Sequence, residues 1–509
     1  MHPTASIPSR CVLVLLCGAA LAAGHGLAAG ETLSATTQVL EQHGNAARSG
    51  LYVVPTLTWD AATHLRRDPD FQAEIAGPVY AQPLYWRIPG TERALLVVTT
   101  EQNTVYALDA RNGALVWKAS VGPPVPHSAL PCGNINPLGI TGTPVIDPKS
   151  QTLVLGAMVA DQATHAPKHR IFALSLKDGT VLPGWPIDVE AALKASGKTF
   201  VSPVQNQRGA LTVLGNTVYV PYGGHWGDCG DYRGWVVSVS LDPGHAVHSW
   251  STRARAGGIW ATGGISSDGT AIYAATGNTM GAKQWSDGEA IIRLGADLTF
   301  AENAQNFFAP SNWRQLDDAD ADLGGSNPLL LSLPAAAEPQ RMLALGKDGK
   351  AYLLGLPKLG GIGGELVSKK VSPNAIRTSP AYFTAGDASY VAMQATGSDC
   401  PGGTKGDLTV LKIIGGSAPT LTTAWCAVMH GRGSPIVTTT DGQANPIVWV
   451  VGAEGDNRLH GFRGDTGAVI FGGGATAEAM TEVRGFQTLI AIERHLYVAA
   501  DDRVYAFTF

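Results

Sequence analysis

The 509-residue sequence has few charged residues, 15% of the total, where an ordinary soluble chain has roughly 25%. Its 36 basic and 41 acidic residues nearly balance, and no basic stripe could neutralise phosphates, so a nucleic-acid partner is excluded. The sequence has no GxSxG elbow and no Walker A loop, which leaves hydrolase and nucleotidase functions without local support. It also has no CxxCH motif, and therefore no attachment site for a c-type haem.

Long apolar runs are confined to the first thirty residues. Arg10 precedes the apolar segment 11–23 (CVLVLLCGAALAA), and small residues follow up to position 30. This pattern is typical of a secretory signal peptide and is too short for a membrane-spanning helix. We therefore expect residues 1–30 to be a signal peptide and residues 31–509 to form a periplasmic or secreted protein without a membrane span.

Cysteine is scarce, with six residues in the chain, of which two lie in the expected signal peptide. The four that remain allow three pairings, and an exported protein meets an oxidising compartment in which disulfides persist. The four are Cys132, Cys229, Cys400 and Cys426.

Glycine, proline and tryptophan are plentiful (62, 31 and 12 residues), and this composition favours short strands joined by tight turns. Residues 105–117 (VYALDARNGALVW) read as strand, turn and strand. This motif recurs along the chain, which indicates a repeat architecture. Weaker copies begin at Ile171, Val236 and Leu459, and degenerate copies begin near Ala290, Ala351 and Leu408.

Two further strand signals precede each copy, so that each repeat contains four strands. Eight repeats fit between residues 77 and 509, and the last ends one strand short. We expect residues 56–59 to supply the missing strand. Four-stranded units repeated around an axis form a β-propeller, whose closure removes exposed sheet edges. The sequence therefore predicts an all-β fold, a single eight-bladed β-propeller of four-stranded blades.

Unusual side chains gather on one face of the predicted ring. With the strands of each blade lettered A to D from the axis outward, the B–C loops and the D–A links between blades share a face. Taken singly, each candidate has a structural explanation, as a turn former, a packing tryptophan or a solvated acidic loop. Their gathering on one side of a rigid scaffold favours a site. The candidates are Cys132, Arg208, residues 223–232, Trp260, Asn278, Trp285, residues 317–322, Lys347, Cys400, His430 and Arg432.

The repeat and several motifs resemble the eight-bladed alcohol dehydrogenases that depend on pyrroloquinoline quinone (PQQ). Residues 233–236 (RGWV) resemble the segment that follows the family's metal-binding Glu. The stretch from Trp260 to Asn278 resembles the segment that joins the tryptophan under PQQ to the metal-binding Asn. Lys347, in LGKDGKAYLL, resembles the lysine that contacts the quinone. Asp320 falls where the family has its catalytic Asp.

The resemblance implies a site in which PQQ lies on Trp260 and contacts Lys347, with Arg208 as a further cofactor-binding residue. Asp320 would remove the proton of an alcohol or similar small substrate. A Ca²⁺ or lanthanide ion would take oxygen ligands, as hard cations do, and electrons would pass to a separate cytochrome c. The metal ligands implied are Asn278, Asp320, Asp228 and Asp322, the last where lanthanide-using members carry an additional Asp. We expect these residues to converge on one cavity at the axis.

The sequence also departs from the family. The metal-binding Glu is not matched, and Asp228 is the nearest carboxylate. The adjacent cysteine pair that covers the cofactor is represented only by Cys132. The repeat is also similar to that of noncatalytic propellers, such as the lipoprotein of the outer-membrane β-barrel assembly machinery. A noncatalytic exported scaffold for binding or assembly is therefore the alternative function.

The face assignment predicts the disulfides. Cys400 and Cys426 lie in loops on the same face of one blade, so we pair them. Cys132 then pairs with Cys229 across the cofactor face.

Overall fold

The computed structural model describes residues 33–334 and 336–509, and the expected signal peptide lies outside them. Eight antiparallel blades of four strands follow one another along the chain, and short extra strands join several of the sheets, such as Leu51–Val53, which pairs parallel with the inner strand of blade 7. The predicted eight-bladed β-propeller is confirmed. No helix in the described part of the chain is both long and apolar enough to cross a membrane.

Blades 1 to 4 occupy the first half of the chain, and their strands follow one another in sequence order within each sheet. Blade 4 also gains Gly361–Ile362, which pairs parallel to its last strand. Blade by blade, the strands are Leu84–Arg87, Ala94–Thr99, Thr104–Asp109 and Leu115–Ser120; Val145–Asp147, Thr152–Ala160, Pro167–Ser175 and Ile187–Asp188; Thr212–Leu214, Thr217–Gly224, Trp235–Ser240 and Val247–Ser251; Ser266–Ser267, Ala271–Thr276, Ala290–Gly295 and Phe307–Ala309.

Blades 5 to 8 repeat the arrangement in the second half. Their strands are Leu329–Ser332, Gln340–Leu345, Lys350–Gly355 and Val367–Lys370; Ala381–Ala385, Ala388–Gln394, Leu408–Ile414 and Thr420–Ala427; Ile436–Thr439, Ile447–Val451, Leu459–Arg463 and Val469–Gly472; and Leu489–Ile492, His495–Ala500 and Arg503–Thr508. The described α-helices are short and lie in connections; they are Trp59–Ala62, Val189–Ala195 and Trp313–Ala319.

Packing between blades explains why the inner strands read as continuous apolar runs. Ala94–Thr99 (ALLVVT) is buried along its whole length because neighbouring blades cover both of its faces. On the outer strand, Trp117 is buried against the next blade and donates its indole N–H to the carbonyl of Leu176 at 3.0 Å. This tryptophan therefore packs between two blades.

The predicted position of the closing strand is wrong. Blade 8 is completed by Arg66–Arg67 and Ala73–Glu74, which pair antiparallel with Arg503–Thr508. Residues 56–59 instead enter the helix Trp59–Ala62, because Thr58 accepts a hydrogen bond from the backbone N–H of Ala61 and caps that helix. The N-terminal region does close the ring, but it does so a few residues later than expected.

An axial segment, residues 39–50, fills the centre of the ring. Its backbone carbonyls accept hydrogen bonds of 2.8–3.2 Å from the inner strands or their flanks in six blades. Side chains of the segment make the contacts with the other two blades. Arg48 donates a hydrogen bond to the carbonyl of Leu211 beside blade 3, and His43 Nε2 lies 3.4 Å from the hydroxyl of Thr488 beside blade 8. The six donors are the backbone N–H groups of Tyr85, Ile146, Ser267, Leu330, Tyr382 and Val437.

Both predicted disulfides are confirmed. Cys132 pairs with Cys229 across 97 residues, with a Cα–Cα distance of 6.1 Å. Cys400 pairs with Cys426 across 26 residues, with a Cα–Cα distance of 5.7 Å. The first disulfide joins the link after blade 1 to the B–C loop of blade 3, on the face that carries the candidate site.

Candidate functional site

A cavity of about 530 Å³ opens on the face formed by the B–C loops and the D–A links. Gln42, from the axial segment, lines it and accepts a hydrogen bond from Thr143 at 2.9 Å. The cavity brings together all seven side chains that the sequence analysis assigned to the quinone, the metal ion or catalysis, although they come from several blades. They are Arg208, Asp228, Trp260, Asn278, Asp320, Asp322 and Lys347.

Asp322 organises the centre of this group. One of its carboxylate oxygens accepts hydrogen bonds from Trp260 Nε1 at 3.1 Å and from Lys347 Nζ at 2.6 Å. The other accepts the backbone N–H of Asn278 at 2.8 Å. The carboxylate is only 3% exposed, so these three donors supply the stabilisation that water would otherwise give. The ring of Trp260 and the lysine are therefore fixed in place by one buried anion.

Lys347 lies beside the tryptophan ring, with Nζ 5.2 Å from the ring centroid. Burial alone would lower the pKa of Lys347, but the carboxylates of Asp322 and Asp320 outweigh burial and raise it. The side chain is therefore an ammonium at neutral pH. A fixed positive charge next to an exposed aromatic face suits a planar ligand that carries acidic or carbonyl oxygens.

Asp320 has a different environment from Asp322, two residues away. Its side chain is 64% exposed at the cavity, and one carboxylate oxygen contacts Lys347 Nζ at 3.0 Å. It follows the helix Trp313–Ala319 in a left-handed conformation, with φ of 50°. Because one oxygen lacks a hydrogen-bond donor among the described residues, Asp320 is free to accept a hydrogen bond from a bound molecule.

Two acids that the sequence analysis did not assign hold this region together. Asp317 accepts hydrogen bonds from the backbone N–H and the hydroxyl of Thr279, both at 2.7 Å, and so ties the helix to the residue after Asn278. Glu289 accepts the backbone N–H of Leu323 at 2.6 Å. Burial raises the pKa of Glu289, and the charge of Asp322 adds to the effect, which favours the neutral acid. The acidic run in the sequence was a signal for Asp317, whereas nothing local marked Glu289.

Asn278 and Asp228 offer free oxygen atoms to the cavity. The side-chain amide of Asn278 makes no hydrogen bond within the described chain, and Asp228 uses one oxygen to accept the Tyr232 hydroxyl at 2.6 Å. These donors have the chemistry that hard cations prefer. Across residues 33–334 and 336–509, however, no three His, Cys, Asp or Glu side chains are close enough to form a ready ligand cluster.

Three arginines add positive charge to the cavity wall. Burial lowers the pKa of Arg208, whose one side-chain hydrogen bond within the described chain goes to neutral Asn134 at 3.4 Å. Arg377 makes no side-chain hydrogen bond or ion pair with the described residues. Arg432 forms an ion pair with Glu454, in which Nη1 lies 3.6 Å from Oε2. Arg208 and Arg377 are thus available to an anionic ligand. Sequence reasoning did not identify Arg377, because an isolated arginine in a link carries no motif.

The comparisons with known proteins address the fold. Neither family models nor curated proteins give a match. Solved structures do: the quinohemoprotein alcohol dehydrogenase of Comamonas testosteroni has 14% identity and a TM-score of 0.62, over 93% of this chain and 81% of that one. A quinohemoprotein alcohol dehydrogenase of Pseudomonas putida HK5 also has 14% identity and a TM-score of 0.62, over 93% and 75%.

A europium-containing methanol dehydrogenase is similar over nearly its whole length. It has 14% identity and a TM-score of 0.61, and the match covers 93% of this chain and 98% of that one. At this identity the likeness establishes the fold alone. The resemblance to the PQQ-dependent alcohol dehydrogenases, inferred above from motifs, is confirmed at that level: the chain has their eight-bladed propeller.

Proposed function

We propose that the protein is an exported quinoprotein-like oxidoreductase that binds PQQ in the axial cavity and oxidises an alcohol or a similar small molecule. One observation carries the proposal. Residues assigned from the sequence to the quinone, the metal ion or catalysis come from different blades, yet all line one cavity. Turn or packing residues chosen at random would have no reason to do so.

The chain's side chains fit the cofactor. PQQ is a flat ring system with carboxylate groups, and it supplies the acceptor for the electrons of the substrate. The ring of Trp260, held by Asp322, offers the flat surface. Arg208 and Arg377, which form no ion pair with a carboxylate of the described residues, would bind its acidic groups. The ammonium of Lys347 would contact the quinone.

A hard cation, Ca²⁺ or a lanthanide, would be held through the oxygens of Asn278, Asp320 and Asp228. Each of these residues has an oxygen with no hydrogen-bond partner in the described chain. The ion would polarise a bound carbonyl oxygen. Asp322, which completes the predicted ligand set, has both oxygens occupied by donors of the chain and would need to release one of them.

Asp320 would act as the general base, because it is the cavity carboxylate with the most open access. Lys347 would steady the carboxylate in the left-handed turn. We further propose that electrons leave to a separate cytochrome c and that the protein acts in the periplasm or outside the cell, where its two disulfides would persist.

Dye-linked alcohol oxidation tests the proposal. The purified protein is supplied with PQQ and either Ca²⁺ or La³⁺, and turnover is compared with Asp320→Asn. Loss of a general base should lower turnover by about 10²- to 10⁴-fold while quinone binding is kept. Asp318→Asn, at an exposed site two residues away, is the matched control and should behave like the native protein. A native protein that binds no quinone would favour the noncatalytic scaffold.

A further inference from the structure

Trp226 stands at the mouth of the cavity with no interaction that explains its exposure. It lines the cavity, and its side chain is 68% exposed, more than any other large hydrophobic residue in the described part of the chain. Its indole N–H has no hydrogen-bond partner there, and its ring packs against no other described aromatic ring. Ligand pockets are lined predominantly by hydrophobic and aromatic side chains, so an exposed ring that also lines a cavity is placed to contact a ligand.

The loop around Trp226 is firmly held on both sides. Before it, His225 is buried and its Nε2 contacts the carbonyl of Pro203 at 3.1 Å. After it, Cys229 is joined to Cys132, and Asp228 accepts the Tyr232 hydroxyl. The exposure of Trp226 therefore follows from the way in which its neighbours are anchored, and not from a loose loop.

Gly227 shows that the backbone after Trp226 is shaped for this presentation. It has φ of 102°, a conformation that L-residues rarely adopt. A Cβ at this position would also lie 3.4 Å from the sulfur of Cys132. The chain thus turns tightly over the disulfide immediately after the tryptophan, which keeps the ring at the cavity rim.

The structure assigns Trp226 to ligand recognition: we propose that it covers the outer face of a planar aromatic ligand whose inner face rests on Trp260. This inference rests on the proposed function and adds a second aromatic contact to the same site. Trp260 is half-buried and fixed by Asp322, whereas Trp226 is exposed and has two side-chain torsions with which to close over the ligand. A flat ring between two tryptophans is shielded from water on both faces.

The test is the dissociation constant of PQQ, measured by equilibrium dialysis with the full exported protein, its disulfides intact, and Ca²⁺ present. Stacking on one aromatic side chain corresponds to about a 5- to 150-fold change in affinity, so Trp226→Ala should weaken binding within that range. Trp226→Phe should stay within about threefold of the native protein, because a flat ring is retained. Val469→Ala, at an exposed hydrophobic site on the last strand of blade 7, should change nothing.

The outcomes separate the two proposals. If the native protein binds PQQ and Trp226→Ala binds it equally well, the role of Trp226 is refuted while the proposed function stands. If Trp226→Phe fails as badly as Trp226→Ala, stacking is not the cause and the inference is also refuted. If the native protein and all variants fail to bind PQQ, the proposed function falls and takes this inference with it. The melting temperature of each variant is also measured. A value equal to that of the native protein excludes loss of fold as the reason for weaker PQQ binding.

Discussion

Replacing Arg48 with Met should destabilise the whole ring, because this arginine fastens the axial segment inside it. The guanidinium is completely buried and makes four hydrogen bonds. Two reach backbone carbonyls of the ring, those of Ile265 at 3.0 Å and Leu211 at 2.8 Å. The others go to Glu41 at 2.9 Å and to the carbonyl of Gln42 at 3.1 Å, within the segment itself.

Methionine preserves the apolar stem of Arg48 but leaves three carbonyls and a carboxylate without their donor. Removing one partner of a buried ion pair lowers the free energy of unfolding by about 3–5 kcal/mol. Glu41 is 15% exposed and keeps a hydrogen bond from Thr212 at 2.8 Å, which places the expected loss in the middle of that range, at about 4 kcal/mol. Adding Glu41→Gln should recover about 1–2 kcal/mol, because the unpaired charge is then removed.

Equilibrium denaturation in guanidinium chloride, with the disulfides intact, measures this loss as a shift of the midpoint. Arg111→Met is the control, since that side chain is 68% exposed and solvent screens its ion pair with Asp109, so its loss should barely move the midpoint. If the free energy of unfolding of Arg48→Met is within about 0.5 kcal/mol of the native value, the axial segment is not an integral part of the ring and the prediction is wrong.

Two further predictions concern Glu101 and the disulfides. Burial raises the pKa of Glu101 to about 7, from an ordinary value of 4.5, so stability falls as pH rises from about 4.5 to about 7. The Glu101→Gln variant should therefore be more stable than the native protein, by about 3 kcal/mol at pH 8 and by almost nothing at pH 4.5. An equal increase in stability at both pH values would contradict this prediction. Replacing Cys132 and Cys229 with Ser should lower the free energy of unfolding by about 4–5 kcal/mol. This loss should exceed that from replacing Cys400 and Cys426 by about 1 kcal/mol, because the first disulfide closes a loop of 97 residues and the second a loop of 26. Equal shifts of the denaturation midpoint would contradict that ranking.

The repeat could be recognised in the sequence because every blade needs the same kinds of residue at the same positions. A blade needs buried apolar strands, a tight hairpin and a tryptophan that packs on the next blade, and residues 105–117 show a buried apolar strand, the hairpin and the tryptophan. The disulfide pairing followed from the same topology, since strand order determines which loops share a face. Both predictions depend on local patterns that recur around the ring.

The axial segment could not be recognised in the same way. Residues 39–50 (VLEQHGNAARSG) have no hydrophobic period and no second copy, and their backbone bonds go to blades up to several hundred residues away. The closing strand was misplaced for a related reason. Arg66–Arg67 and Ala73–Glu74 are strands of only two residues at a sheet edge, too short to show the apolar alternation that marks the other strands.

The site was only partly predictable. Motifs led to Trp260, Asn278 and Lys347, because their flanking residues follow a recognisable spacing. Glu289 gave no such signal, and Trp226 was marked only as part of the candidate segment 223–232, since the role of each depends on what the folded chain brings next to it. The division between buried Asp322 and exposed Asp320 is likewise a property of the fold, because the two residues are equivalent in the acidic run.

The most direct test of the account is a crystal structure of the protein soaked with PQQ. The account predicts one quinone in the axial cavity, its ring plane against Trp260 and its acidic groups near Arg208 and Arg377. Density for PQQ at another place, or an empty cavity at saturating PQQ with Trp260 and Asp322 still joined by their hydrogen bond, would contradict the assignment of this cavity as a quinone site.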